Sequence, residues 1–564
     1  MAITYISNSD ARYNTLKKGF NLRWPDKNND VSGVFICNHE HEVIIAARKA
    51  ADEGKRITVR SGGHCYEGFV SNNNFNKNKT LQKTVIIDVG LMTGIEYEKD
   101  QTITSEYDKD QMKYRFKIAA GNQNWESYVR LYKISGKTLP GGSCYSVGLG
   151  GHITGGGYGL LSRKQGLTVD WLSGIDIIVP DYNNFFKTIH VSRYSQDTHH
   201  RKLFKACCGA GGGNFGIILN YYFEDLPDAP SSAGFIKLTY PWENIPNPSA
   251  LKKFLDAYFA WFKENDQYWD DKDESKCNGG LFALLKMHHK NKGNIELTIQ
   301  YTGKNGDYKK GVNDAPLLDF INTMNQASNN RICTYKSMEL SSIHGLSTPQ
   351  VDRVLLDDFC EADSQQIDPP VTTMDWLHLT QSINGSGDNQ YGKYKSVYQK
   401  GDISDDTVSH IYQCLTEPLH HIVSPNALIQ INSYGGFINQ ADKNNETSVY
   451  QRDSLLKWQF QIYWKDPKDA DACIQWIRLL YSGCFRHYGN KPYEEYNHIQ
   501  TPFQGCYINY PDIDMKYTDD SHNTIDPRWM ELYYGKELSK ELIEVKKRFD
   551  RNNIFRHEMS IPVE

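Results

Sequence analysis

The chain has 564 residues, 39% apolar and 23% charged, a balance that supports several folded units and excludes a disordered or collagenous chain. Lys plus Arg total 63 against 68 Asp plus Glu, a formal net charge of −5 without the basic excess usual in a nucleic-acid binder. Twelve Cys are too sparse for a disulfide scaffold, and no apolar run reaches the ~18 residues of a membrane span.

The N-terminus, Met1 to Arg12, is polar and lacks the apolar core of a signal peptide. A cytoplasmic protein is therefore expected, or a secreted one if a signal has been removed. Val31 to Cys37 reads as a strand and His41 to Gly54 as a helix, with Val43, Ile44, Ala47, Ala50 and Ala51 at helical spacing and Gly54 as its stop. Strands follow at Ile57 to Arg60, Thr84 to Val89 and Phe116 to Ala120, with a helix at about Trp125 to Tyr132. Trp171 to Val179 and Ile217 to Tyr221 are two more strands. Prolines 227, 230, 241, 246 and 248 then mark a boundary. Beyond it an amphipathic helix, Ala250 to Asn265, alternates with strands at Ile295 to Tyr301, Ala427 to Ser433 and Leu456 to Trp464. The tail carries a helix at Lys540 to Arg548.

Glycine is dense where the backbone must turn sharply or approach something closely. Gly211-x-Gly213-x-x-Gly216 fits a dinucleotide fingerprint in form, but alternating strand residues follow it where a helix should begin. Arg60-Ser61-Gly62-Gly63-His64 is a glycine turn whose amides can cradle an anion, or a plain structural turn with an exposed imidazole. The 36 Tyr and 11 Trp suit a carbohydrate or planar ligand, and serve equally well as core packing. The pairs His199-His200, His288-His289 and His420-His421 have no carboxylate at ligand spacing, so no metal is expected.

The glycine turn combines with Gly142-Ser143-Cys144-Tyr145-Ser146-Val147-Gly148-Leu149-Gly150-Gly151-His152, Gly155-Gly156-Gly157-Tyr158-Gly159 and Gly209 to Gly216. Near the C-terminus stand Tyr507-Ile508-Asn509-Tyr510-Pro511-Asp512, Tyr533-Tyr534-Gly535 and Asp550 to Phe555. In this order the blocks resemble the berberine bridge enzyme-like FAD-linked oxidases of the vanillyl-alcohol oxidase type, most closely the sugar and oligosaccharide oxidase branch. The resemblance implies an α+β fold with an FAD domain (1–225), an inserted substrate domain of antiparallel sheet backed by helices (226–500), and a C-terminal segment (501–564) returning to the FAD domain.

It also implies FAD held covalently at two points, by His64 through its imidazole and by Cys144 through its sulfur. Arg60, Ser61, Gly62, Gly63, Gly148, Gly151, Gly156, Gly157, Gly213, Asn214, Gly216, Tyr507 and Asn509 would line the cofactor. His152 would face the N1/C2=O end of the ring, and Val147 matches the position that admits dioxygen in the oxidases. An alcohol gives up a hydride only if its hydroxyl proton also leaves, so a base is required. The family pattern puts it at Tyr510, oriented by Tyr507, with Tyr66, Gln430 and Gln461 on the substrate. A phenol with pKa near 10 must be activated by its neighbours. The sugar branch has an Asp for this where this chain has Asn432, and near Gly435-Gly436 only Asp442 and Lys443 occur, with no Glu in register. The implied reaction is oxidation of an alcohol or sugar hemiacetal, with O2 as acceptor and H2O2 as product. A tailoring oxidase acting on a natural product or its glycosyl group is the alternative, and a flavin-binding protein without catalysis the third reading. The partners implied are a small-molecule or oligosaccharide substrate and O2, with no nucleic acid or membrane; the oligomeric state is left open.

Overall fold

The computed structural model describes residues 3–26, 29–75, 81–181, 183, 185–266, 280–303, 305–329, 333–334, 371–383, 385, 389–417, 426–442 and 444–564. His420-His421 and Lys443 lie outside them. The first part of the chain builds two larger sheets, besides the short pair Asn74–Phe75 and Leu81–Gln82. In one, Thr4–Ser7 pairs antiparallel with Gly33–Ile36, which runs parallel to Thr84–Asp88 and through it to Arg56–Arg60. Helix Glu40–Asp52 buries Val43, Ala46, Ala47 and Ala50 on this sheet and stops before Gly54, whose φ of +65° suits glycine. The second sheet is antiparallel, in the order Phe186–Ser192, Leu172–Pro180, Ile217–Phe223, Phe116–Ala119, Ile95–Tyr97.

The middle of the chain forms one large antiparallel sheet. Its path is Cys333–Thr334, Ser232–Tyr240, Ile295–Tyr301, Leu281–His288, Ala427–Ser433, Leu456–Trp464, Tyr391–Gln399, with Thr372–Asp375 also paired to Ser232–Tyr240. Helices Pro248–Asn265, Ala315–Ala327, Asp405–Thr416 and Ala470–Cys484 bury apolar stripes beside it. The strand Leu456–Trp464 shows how alternation positions the site. Trp458, Phe460 and Ile462 lie on one face, while Lys457, Gln459, Gln461 and Tyr463 lie on the other. Both sets are almost wholly buried.

The C-terminal segment serves both halves. Around Phe503 to Cys506 it follows the outer edge of Tyr391–Gln399, with Gln504 N bonded to Tyr398 O at 2.9 Å. It then returns to the first half. Helix Lys536–Phe549 lies on helix Thr198–Cys207, Phe555 bridges in parallel to Ile57, and Asn214 Oδ1 accepts from Ile561 N at 3.0 Å. Cys207 and Cys208 end that helix as buried core residues.

Candidate active site

The glycine turn leaves strand Arg56–Arg60 and presses against the loop before helix Leu149–Thr154. A Cβ on Gly62 would stand 2.2 Å from Gly148 N, and one on Gly148 would stand 2.1 Å from Ser61 Oγ. Only paired glycines allow this approach. It delivers His64 to the Cys144–Gly148 loop, where His64 Nε2 meets Ser146 Oγ at 2.8 Å. Phe20 stacks on the imidazole at 4.2 Å. Burial lowers the His64 pKa to about 4, so the ring is neutral, its nucleophilic form. Cys144 lies two residues from Ser146, close enough that a charge on its sulfur would raise the pKa of Tyr66, Tyr394, Tyr463 and Tyr510. The two expected anchoring residues therefore border one site. The donor set fits a flavin: a neutral imidazole and a thiol on one rim, glycine backbone beside them, and open space within 4 Å of a Cβ built at Gly151.

His152 is half-buried, and burial lowers its pKa to about 4 and holds it neutral. Its Nε2 accepts from Gly142 N at 3.0 Å, which puts the ring proton on Nδ1 as the donor left for a ligand. Asn509 donates to His152 O at 2.9 Å and to Tyr507 Oη at 3.2 Å, tying the C-terminal tyrosine motif to this helix. Gly156 and Gly157 have positive φ and turn the chain past Val449 and Thr168.

Four residues expected at the cofactor make contacts that hold the fold together. Arg60 spends its guanidinium on Asp88, 2.6 Å away, and on the carbonyls of Leu16 and Lys18. Asn214 spends its amide on Ala210 O, Gly211 O and Ile561 N. Gly216 stands where a Cβ would come within 2.3 Å of Ile178 O, so its role is close strand packing. Gly213 turns at φ +74° beside His557 in the C-terminal segment. The third glycine block thus locks the tail to the first domain.

The tyrosine motif turns back on itself, with Tyr510 N bonded to Tyr507 O at 2.9 Å and the two rings edge-to-face at 4.9 Å. Tyr66 lies between Tyr394, stacked at 3.8 Å, and Tyr510 at 5.5 Å. Beside Tyr510 stands Lys457, which the sequence reading passed over. Its Nζ is 3.4 Å from Tyr510 Oη and lies over the rings of Tyr158, Tyr507 and Tyr510 at 3.9, 4.5 and 4.5 Å. Lys457 is 0% exposed. Burial pulls its pKa well below the lysine range and pushes that of Tyr510 well above the tyrosine range. Burial thus disfavours the charged form of both groups, and nothing around Tyr510 among the described residues makes its phenol more acidic than usual. Asn432 faces Lys457 across the sheet and its amide donates to Lys457 O at 3.4 Å. It braces the lysine's strand and gives Tyr510 no acid–base partner. Asp442 accepts from Glu446 N and from Thr447, away from the tyrosines.

A polar ladder continues along the same strand face. Tyr463 donates to Gln461 at 2.7 Å, Gln461 to Gln459 at 2.7 Å, and Gln459 to Tyr66 Oη at 3.4 Å. Gln459, not the expected Gln461, meets the tyrosine wall, and Gln430 is its cross-strand neighbour. Period-2 alternation through Lys457, Gln459, Gln461 and Tyr463 was the sequence signal that could have found both missed residues. Among the described residues, no group of three or more His, Cys, Asp or Glu is placed to hold a metal, and no helix is long and apolar enough to cross a membrane.

Comparison with known proteins agrees with this geometry. Residues 31–181 match the model of the FAD binding domain, and residues 506–562 match that of berberine and berberine-like proteins. The chain is 33% identical to hexose oxidase of Chondrus crispus, over 98% of this chain and 94% of that one. It is 28% identical to aclacinomycin-N/aclacinomycin-A oxidase of Streptomyces galilaeus, over 99% and 90%. A glycopeptide hexose oxidase solved with teicoplanin superposes with a TM-score of 0.78 at 26% identity, covering 100% of this chain and 99% of that one. With the flavin-domain blocks, the tyrosine motif and near full-length similarity in agreement, the chain belongs to the berberine bridge enzyme-like family of FAD-linked oxidases.

Proposed function

We propose that the protein oxidises the hemiacetal carbon of a sugar to a lactone, with O2 as final acceptor and H2O2 as product. The observation that carries this reading is the pair Tyr510–Lys457, a phenol 3.4 Å from a buried amine at the edge of a wall of hydrogen-bonding side chains. FAD, when bound, accepts the hydride and passes two electrons to O2. The chain's own residues manage the proton. Tyr510 takes it from the substrate hydroxyl while its own phenolic proton passes to Lys457 Nζ. The phenol is restored and the charge ends on the lysine, where three ring faces receive it. This relay avoids a free phenolate in a buried site, which burial alone would disfavour.

Tyr66, Gln459 and Gln461 form a run of donors and acceptors for sugar hydroxyls, with Gln430 beside them. His64 and Cys144 are the proposed covalent anchors. With Nε2 engaged by Ser146, the nitrogen assigned to the flavin bond is Nδ1. Val147 is the proposed dioxygen-admitting position.

A second reading, oxidation of a glycosyl group on a larger natural product, is favoured by the similarity to the aclacinomycin and glycopeptide oxidases. A peroxide-coupled screen of free hexoses, oligosaccharides and glycosylated aromatic compounds separates the two. Peroxide from free sugars supports the first reading, and peroxide from glycosides alone supports the second. Peroxide from neither removes both.

A further inference from the structure

Lys393 is almost completely buried, at 2% side-chain exposure, and sits on the helix-facing side of strand Tyr391–Gln399. Its Nζ contacts Glu67, lies 2.6 Å from Asp512 and lies 3.7 Å from Asp514. Around this core, Lys395 bonds Asp512 and Asp514 at 2.6 and 2.7 Å. Arg478 and His522 reach Asp514 at 2.6 and 2.9 Å, and Arg23 stands 4.0 Å from Glu67. Burial opposes charge on Lys393, but Asp512, Asp514 and Glu67 outweigh it and hold the ammonium above the ordinary lysine range.

The chain positions of these groups give the cluster a purpose beyond stability. Glu67 directly follows Tyr66, Asp512 comes two residues after Tyr510, and Lys393 directly precedes Tyr394. One ammonium thus joins the three segments that carry the stacked wall Tyr394–Tyr66–Tyr510, whose ring centroids are 3.8 and 5.5 Å apart. These segments come from the N-terminal part of the chain, the edge strand of the large sheet and the C-terminal segment; backbone bonds at Tyr398–Gln504 and the Asn21 amide, shared by the carbonyls of Tyr66 and Gly392, hold them elsewhere, and Lys393 joins them next to the rings. A buried ion pair is a weak source of stability, because desolvation of both partners offsets the attraction. It does fix geometry, since breaking any arm leaves a buried charge without its partner.

We propose that Lys393 is a positioning residue for the proton-transfer site: its salt bridges to Glu67 and Asp512 set the place of Tyr66 against the substrate and of Tyr510 against Lys457. The inference rests on the reading of Tyr510 as the proton-accepting residue.

Three variants of the full-length, FAD-loaded enzyme test it: Lys393→Met, Glu67→Gln and Asp512→Asn, with Tyr510→Phe as control. The readouts are flavin content, the limiting rate of anaerobic flavin bleaching, KM, and the pH profile of bleaching. Asp512→Asn is expected to lower the limiting rate and displace the acid limb of the pH profile, because Tyr510 loses its register with Lys457. Glu67→Gln is expected to raise KM with the acid limb unmoved, because the Lys393–Asp512 bridge beside Tyr510 stays intact. Lys393→Met should do both, with a rate loss on the order of 10²-fold, the scale of an ångström-level misplacement. Should Lys393→Met fail to fold, the split between Glu67→Gln and Asp512→Asn decides alone. Folded variants with wild-type rates, KM and pH profiles, differing only in melting temperature, overturn the proposal. If Tyr510→Phe keeps the wild-type rate, the proton-acceptor reading fails. If Tyr510→Phe is slow while the three latch variants are not, the positioning role fails by itself.

Discussion

Replacing Lys457 by Met removes the amine and keeps most of the side-chain volume. In the proposed relay the proton leaving the substrate ends on Nζ, 3.4 Å from Tyr510 Oη. In the variant it would have to leave a phenolate on Tyr510. A phenol of ordinary pKa near 10 is ionised in only about 1 molecule in 10³ at pH 7, a penalty of about 4 kcal/mol, and burial of Tyr510 makes it larger. The limiting rate of flavin bleaching at pH 7 should therefore fall by at least about 10³-fold, within the range known for loss of general-base catalysis. The wild-type rate should rise with pH as the Lys457 ammonium loses its proton, at a pH below the ordinary lysine value of 10.5. The variant should lack that limb.

Stability should move the other way. With its folded pKa depressed, Lys457 takes up a proton on unfolding anywhere between that value and 10.5, so the wild type loses stability as pH falls through this window. Methionine has no proton to take up, and the variant should melt no lower than the wild type at pH 7. Anaerobic stopped-flow bleaching and thermal melts across pH measure both effects. A folded, flavin-loaded Lys457→Met enzyme with a wild-type rate and an intact acid limb would refute the relay.

Tyr510→Phe should keep its flavin and lose about 10²- to 10⁴-fold in bleaching rate, read in the same instrument. Gln459→Leu breaks the ladder at its contact with Tyr66 and should raise KM roughly five- to tenfold, the worth of one hydrogen bond, with a smaller change in kcat. Gly62→Ala would drive a methyl to 2.2 Å from Gly148 N, so the purified variant should carry little FAD by absorbance. His64→Ala and Cys144→Ala should each leave flavin attached to one peptide, and the double variant to none, by mass spectrometry of digests; flavin still attached in the double variant removes both assignments.

Much of the framework was legible because its signals are local. The strands at Ile295–Tyr301, Ala427–Ser433 and Leu456–Trp464 have the limits that alternation predicts. Helix Pro248–Asn265 begins two residues earlier than expected, because Asn247 caps it by accepting from Ala250 N and Pro248 fits its first turn. The glycine turn, Cys144 and the tyrosine motif were found because each is a compact chain signature, and the structure brings all three to one place. Errors arose where a role depends on distant partners. Arg60 has the right residue type for an anion site, but Asp88 from a neighbouring parallel strand claims it. Asn214 stands in a glycine-rich block that suggests cofactor binding, yet the chain terminus uses its amide. Asn432 occupies the place expected of an acid, and its amide donates to the backbone of Lys457 on the adjacent strand.

Lys457 and Lys393 make the same point in opposite senses. Both are lysines in buried strands, which sequence alone reads as solvent-facing interruptions. The pairing of Tyr398 with Lys457, and of Lys393 with Ile462, puts the two on opposite faces of one sheet. On the helix side, Lys393 meets three carboxylates, which favour its charged form. On the opposite face, Lys457 meets three aromatic faces and a phenol, and among the described residues no carboxylate pairs with it, so burial favours its neutral form. Paired, a buried lysine is a fixed strut; surrounded by rings, it is a proton acceptor with a depressed pKa. Exchanging the environments tests the distinction directly. A carboxylate placed beside Lys457 by Asn432→Asp should hold it as an ammonium, shift the acid limb to higher pH and slow bleaching at neutral pH, unless the new acid itself takes over as the acceptor for Tyr510. In that case the rate at low pH rises instead, and the asparagine here marks a site where the lysine has replaced the acid.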